Sequence, residues 1–332
     1  MIIGLVGYLR FGNFGDELFR IHYSQIFDGH EIIIVNESHT YPYIHDFTKL
    51  KKLDRLVIIG GDLINPSWYS ELYFNVKYLD LNIPIYIFNV GVASYYDFKD
   101  NNKEKYNTFF NNKNVKYISC RDRQSYDWIK NNINLADTSK LNYFSNDVIF
   151  GMELNREIKQ VNNKTIGVII RKAQGFNINY EIFASNLIKL YNNGYKINLI
   201  VAGTNNTQDD DISEFINLIK LLEGKIEYKL LVPDSTLEIM DLINDCEFII
   251  SKKFHICIIA LMLNKVVCSF NSEHKFSCLF NKLNLQNMIE MDDPNFYNFF
   301  INLKQPNQDI VTNIINATKK NSEFIKELVL KQ

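Results

Sequence analysis

The chain has 332 residues, a length that favours about two domains over one. Lysine and arginine number 36 against 38 aspartate and glutamate, a net charge of −2, which gives no support to nucleic-acid binding. No stretch approaches the ~18–20 continuous apolar residues that span a bilayer, so no transmembrane segment is expected. Five cysteines, an odd number without paired short spacings, argue against a disulfide framework and against a zinc site. Four of them, Cys120, Cys246, Cys257 and Cys268, lie in or beside apolar runs and read as small buried residues.

The opening MIIGLVG lacks a basic region and a cleavage site and reads as a first core strand rather than a signal peptide. The spacing then predicts strands at 2–6, 31–35, 55–60, 84–91 and 116–120, with helices at 16–27, 69–81 and 123–132 between them. Nearly continuous apolar strands separated by helices imply a parallel sheet covered on both faces. The pattern pauses in the polar stretch MELNREIKQVNNK (152–164), where a domain boundary is expected. A second series follows, with strands at 165–171, 196–203, 225–232, 246–251 and 265–270 and helices at 179–193, 211–224, 236–246 and 254–264. The last twenty or so residues form an amphipathic helix whose mixed charge favours docking on the protein over peripheral membrane contact. The expected organisation is therefore α/β: two doubly wound, Rossmann-like domains, 1–155 and 160–315, facing across a cleft, with a closing helix at 316–332.

Ligands of such folds bind outside the carboxyl ends of the strands, which narrows the search to the residues just after them. After the first strand comes GYLRFGNFGDELF (7–19), with three glycines and the polar Asn13, Asp16 and Glu17. Glycines let backbone approach a ligand closely, and Asn13 or Asp16 is placed to cap the helix that follows. The spacing is neither the dinucleotide fingerprint nor a Walker loop, which disfavours a nicotinamide enzyme. After the third strand, IIGGDLI brings Gly61 and Asp62 to the same edge. Arg121 leaves the fifth strand beside Asp122, Arg123 and Ser125. In the second half Arg171 and Lys172 end one strand, a position suited to a carboxylate or phosphate. The stretch CEFIISKKFHICIIALMLN ends a strand in Ser251, adds Lys252 and Lys253, and places His255 at the start of an apolar helix. His274 and Lys275 follow the next strand.

Taken in order, GNFGDE, IIGGDLI, NVGVAS (89–94), ISCRDRQS (118–125), DVIF (147–150), IGVIIR and SKKFHICIIALMLNKVV resemble the polysaccharide pyruvyltransferase family over about residues 3–285. The last motif in that family commonly reads Ser-x-Arg-x-His; here Lys253 stands at the arginine and Ile256 at the small residue after the histidine. The resemblance implies a GT-B-like pair of domains and the transfer of pyruvate from phosphoenolpyruvate (PEP) to two hydroxyls of a sugar, as a ketal. His255 matches the family's histidine and is the expected general acid, and a carboxylate is expected to take the hydroxyl proton, with Asp16, Glu17 and Asp62 as the candidates. The phosphate and carboxylate of PEP need several cations or polar donors, for which the strand-end residues Ser251, Arg121, Arg171, Lys253 and Lys275 are the candidates, with Asn13, Glu17, Gly61 and Asp62 on the sugar side. PEP is then a co-substrate, with no further cofactor and no metal. The acceptor expected is a sugar or lipid-linked oligosaccharide of cell-surface assembly, met by a cytoplasmic protein that visits the inner face of the membrane. Two other readings stay open: a GT-B glycosyltransferase using a nucleotide sugar, with Glu273 or Glu290 on the ribose, and a non-catalytic carbohydrate- or anion-binding protein.

Overall fold

The computed structural model describes residues 1–10, 12–35, 50–93, 100–171, 178–203, 211–270, 274–290 and 292–331. The chain divides into two compact units: residues 1–11, 16–153 and 316–332 form the first, and residues 12–15 and 154–315 the second.

The first unit is built on strands β1 (Ile2–Val6), β2 (Glu31–Ile34), β3 (Arg55–Ile59), β4 (Ile85–Val90), β5 (Val115–Cys120) and β6 (Leu141–Tyr143). They form one sheet in the order β2-β1-β3-β4-β5-β6, every pairing parallel. The order reverses between β1 and β3, which makes the crevice beyond their carboxyl ends the natural ligand position. Helices α1 (Phe14–Ile26), α2 (Asp100–Asn111) and α3 (Arg123–Asn132) connect the strands. Buried side chains of β3, β4, β5 and α2, with Phe74, Tyr106, Phe109 and Phe110 edge to face, make its core.

The second unit repeats the plan with β7 (Thr165–Ile169), β8 (Lys196–Ile200), β9 (Tyr228–Leu231), β10 (Phe248–Ser251) and β11 (Val266–Ser269) in the order β11-β10-β7-β8-β9, again parallel. Its order reverses between β7 and β10. Helices α4 (Tyr180–Asn192), α5 (Ile212–Leu222), α6 (Thr236–Asn244), α7 (Phe254–Met262), α8 (His274–Lys282) and α9 (Phe296–Phe300) accompany the strands. Every residue of α7 from Ile256 to Met262 is buried, as expected for a helix that is apolar all round. The polar stretch after residue 153 is tied to this unit. Arg156 binds Asp241 at 2.8 Å, and Asn244 and Lys265 bind backbone carbonyls of Glu157 and Lys159. Helix α10 (Gln308–Leu330) closes the chain. Within the first unit, Ser322 on this helix meets the His22 ring at 3.1 Å, and Arg55 donates to the carbonyls of Val329 and Lys331 at the helix end.

The strands stand where the alternation puts them, within a few residues at each end. One expected helix does not form. Residues 69–81 give only a 3-10 segment at Val76–Leu81, capped by the Asn75 side chain on the Lys77 amide. Before it, the backbone of residues 65–70 is drawn to the Tyr106 hydroxyl, and turn bonds such as Phe74 N–H to the Ser70 carbonyl take over. Strand β6 and helices α2, α8 and α9 are additions to the expected elements. The cysteines read as buried are buried, and burial pushes the Cys257 thiol up to about 12. Cys278 is exposed. Among the described residues no helix is long and apolar enough to cross a membrane.

Candidate active site

In the first unit the site residues come from the ends of three neighbouring strands, β3, β4 and β5. Beyond β3, Gly60 adopts φ +119°, a conformation open to glycine, and turns the chain so that Asp62 follows at the sheet edge. Beyond β5, Arg121 reaches back to Asp62, Nη2 to Oδ1 at 2.6 Å, and to Asp122 at 3.2 Å. The β4 extension runs between them: Gly91 donates to the Gly61 carbonyl, and Ile64 donates to the Gly91 carbonyl. A Cβ on Gly91 would stand 2.6 Å from both Arg121 Nε and Asp62 Oδ1, so the glycine makes the space for the ion pair. Asp122 also caps α3 through the Ser125 amide, and the Ser125 hydroxyl accepts from the Val92 amide. Burial lowers the guanidinium pKa, but Asp62, Asp122 and Asp147 together outweigh it and hold Arg121 more firmly protonated than usual.

In the second unit the strands on either side of the reversal, β7 and β10, and then β11, bring their carboxyl ends together. Ser251 pairs with Ile169 on one side and Ser269 on the other, so Arg171, the 251–255 turn and the start of α8 share one edge. The Ser251 hydroxyl accepts from the Lys253 amide at 2.9 Å and shapes the turn into α7. The Lys253 ammonium is turned inward. It binds Asp211 at 2.9 Å and the Ala202 carbonyl at 3.2 Å, and the Ala202 amide binds the same carboxylate oxygen. Lys253 thus clamps the base of the segment between β8 and α5 as well as carrying charge.

His255 occupies the second position of α7 and is half-buried, its ring edge-on to Phe254 at 5.5 Å. Phe254 packs in turn on Phe276, and Lys275 holds its ammonium over the Phe254 ring at 5.8 Å. Residues 12–15 belong to this same unit, and Gly15 backs directly onto the His255 imidazole, leaving no room for a Cβ. The Asn13 side chain accepts from the Gly15 amide at 2.9 Å and so starts α1, as the capping reading expects. Glu17 accepts from the Arg10 amide and pairs with Arg20 at 2.7 Å. Asp16 is half-buried in the first turn of α1.

The residues singled out in the sequence therefore form two sets. Asp16, Glu17, Gly61, Asp62 and Arg121 lie in the first unit, and Asn13, Arg171, Ser251, Lys253, His255 and Lys275 in the second. Lys172, Glu273 and the last residue of NVGVAS fall outside the described residues, as does the His274 side chain. Sequence reasoning misses three contributors. Asp211 lies 42 residues from its partner Lys253, and nothing local marks it. Gly91 and Gly15 sit inside quoted motifs, but only the folded chain shows what a side chain there would strike. Among the described residues no cluster of three histidine, cysteine or carboxylate side chains could hold a metal ion.

Comparison with solved structures finds the same two-domain GT-B-like architecture. MnaA of S. aureus, solved with UDP, matches with a TM-score of 0.60 at 11% identity, over 98% of this chain and 96% of that one. Anabaena HepE, in complex with UDP-glucose, gives 0.59 at 12% identity over 99% and 95%. The UDP-GlcNAc 2-epimerase of Neisseria meningitidis, bound to UDP-GlcNAc, gives 0.56 at 11% over 98% and 99%. Likeness at these identities concerns the fold alone. No curated protein matches the chain in sequence. A family model does: polysaccharide pyruvyl transferase, over residues 13–274, a span that begins at Asn13 beside the histidine-backing glycine and runs past the 251–255 turn. The chain belongs to the polysaccharide pyruvyl transferase family.

Proposed function

We propose that the protein transfers pyruvate from PEP to two hydroxyls of a sugar in a cell-surface polysaccharide or its precursor, forming a pyruvate ketal. The observation that carries this reading is the family match across residues 13–274, which includes every candidate site residue except Lys275.

The donor is a phosphate and a carboxylate on an enol carbon. Both anions need cations or N–H donors once they leave water. Arg171, at the end of β7, and Lys275, in the first turn of α8, are assigned to them, together with Arg121. Lys253 and Ser251 support this set by holding the turn that delivers His255. His255 acts as general acid and protonates the PEP methylene carbon, which leaves C2 electron-deficient. A sugar hydroxyl then adds to C2, and its proton passes to a carboxylate, for which Asp16 is our choice. The C2–O bond to phosphate breaks, and the second hydroxyl adds to C2 and closes the ketal ring, its proton passing to the departing phosphate. The net products are the pyruvyl ketal and inorganic phosphate. Asn13, Glu17, Gly61 and Asp62 are assigned to the acceptor side.

The test is phosphate release from PEP with a panel of sugar acceptors. Wild type releases phosphate only with an acceptor present, and His255→Ala, with its fold intact by circular dichroism, loses about 10²–10⁴ in rate. Saturable binding of UDP-glucose or UDP-GlcNAc with sugar transfer, and no phosphate from PEP, would overturn the reading in favour of a nucleotide-sugar enzyme. Ligand binding without turnover, indifferent to His255→Ala, would leave a binding protein.

A further inference from the structure

The loop that leaves β3 does more than present Asp62. Asn65, Pro66, Tyr69 and Ser70 in this loop are buried, yet Trp68 between them is 52% exposed. A large indole is ordinarily well covered in a folded chain. A lone exposed apolar side chain on a mobile loop would need no explanation. Here the turn is fixed from inside. The Tyr106 hydroxyl, wholly buried on α2, receives the amides of Asn65 and Ser70 at 3.1 and 3.3 Å. It also lies 3.2 Å from the Asn65 carbonyl and 3.5 Å from that of Trp68 itself. The Asn65 side chain accepts from the Ser67 amide at 2.8 Å, and Asn102 on α2 donates to the Pro66 carbonyl at 3.3 Å. The backbone on both sides of Trp68 is thus held while about half of the residue's surface stays exposed.

The place is also specific. Ile64 is bridged to Val92, and this bridge continues the sheet past the strand ends, directly beside Gly91 and the Arg121–Asp62 pair. Trp68 follows on the same loop, within the first unit. With the backbone held in this way, a partner of the ring need not order the loop, and the indole favours a partner that offers a flat apolar face. A pyranose ring offers one: its axial C–H groups line a face that stacks on indole, while its hydroxyls stay free for polar neighbours.

We propose that Trp68 is the stacking platform for a sugar ring of the acceptor. This rests on the pyruvyl-transfer reading for the word acceptor, but the sugar-binding claim is tested without turnover. Trp128 is the only other tryptophan, so a Trp128→Phe background makes the emission report Trp68 alone. Methyl glycosides of glucose, galactose and mannose are titrated without PEP, by fluorescence and by calorimetry. At least one should shift the Trp68 emission saturably. Trp68→Ala should weaken that glycoside about tenfold and Trp68→Phe about threefold or less, with the affinity for PEP unchanged. Absence of a saturable emission change with any of the three overturns the proposal. So does an unaltered sugar affinity in Trp68→Ala, or a parallel fall in PEP affinity, which would mark collapse of the loop. Sugar binding through Trp68 with no phosphate release from PEP would sink pyruvyl transfer and leave the platform standing. Turnover with an acceptor KM indifferent to Trp68→Ala would do the reverse.

Discussion

Lys253 Nζ lies 2.9 Å from Asp211 Oδ2, with the two side chains 7% and 0% exposed. A buried pair of this kind is costly to break one side at a time, because the remaining charge is left buried without its counter-charge. Asp211→Asn is expected to lower stability by about 3–5 kcal/mol in urea unfolding. The double change Asp211→Leu with Lys253→Met should recover most of that loss, because matched apolar groups carry no stranded charge. A double variant no more stable than the single one would show that the pair is not the source of the effect.

Gly91 sets the second expectation. Its missing side chain leaves space for Arg121 and Asp62, each of which a Cβ would approach to 2.6 Å. Gly91→Ala should displace the guanidinium and cost on the order of 10² in kcat/KM, since ångström-scale misplacement has effects of that size. Gly61 faces the same guanidinium with more room, because a Cβ there would stand 3.5 Å from Nη1, so Gly61→Ala should be the milder of the two. Steady-state kinetics of both variants decide the order.

Gly15 backs onto the His255 ring in the second unit. Gly15→Ala should push the imidazole from its place and reduce the rate about 10²-fold with little change in melting temperature. Equal losses of rate and stability would instead mark Gly15 as a packing residue alone.

His22 supplies a pH dependence unrelated to the chemistry. Burial lowers its pKa to about 4, and Gln25 and the charge of Asp147 oppose this without cancelling it. The folded state therefore prefers the neutral ring. This contribution is complete above the unfolded value of 6.5, and it is lost as pH falls through that value toward about 4. Between pH 7.5 and 5.0 the loss should be about 2 kcal/mol. His22→Gln, compared with wild type by urea unfolding at both pH values, should flatten this part of the profile.

Much of the fold is legible in the sequence because it rests on local pattern. Apolar runs such as RLVII and CEFIIS have few ways to be satisfied other than as central parallel strands, and they stand as expected. Helix 69–81 fails because its backbone is taken by a hydroxyl from Tyr106, 36 residues away from Ser70, which no window of sequence registers. Helix α2 is hidden by its asparagines and lysines, although Tyr106, Phe109 and Phe110 form a buried stripe on it. The site follows the same rule. Strand-end cations are visible from position, whereas the inward turn of Lys253 depends on Asp211, which lies 42 residues earlier, just before α5.

Helix α10 is divided between the units: residues up to 315 count with the second and those from 316 with the first. The first unit is therefore completed by a segment that follows the second unit in sequence. All five strands described in the second unit precede this helix in the sequence. At that point in the chain the first unit still lacks Thr318, Ile325 and Val329, all fully buried in the finished protein. The usual amino-to-carboxyl order of co-translational folding should be inverted here, with the nascent amino-terminal half waiting on its closing segment.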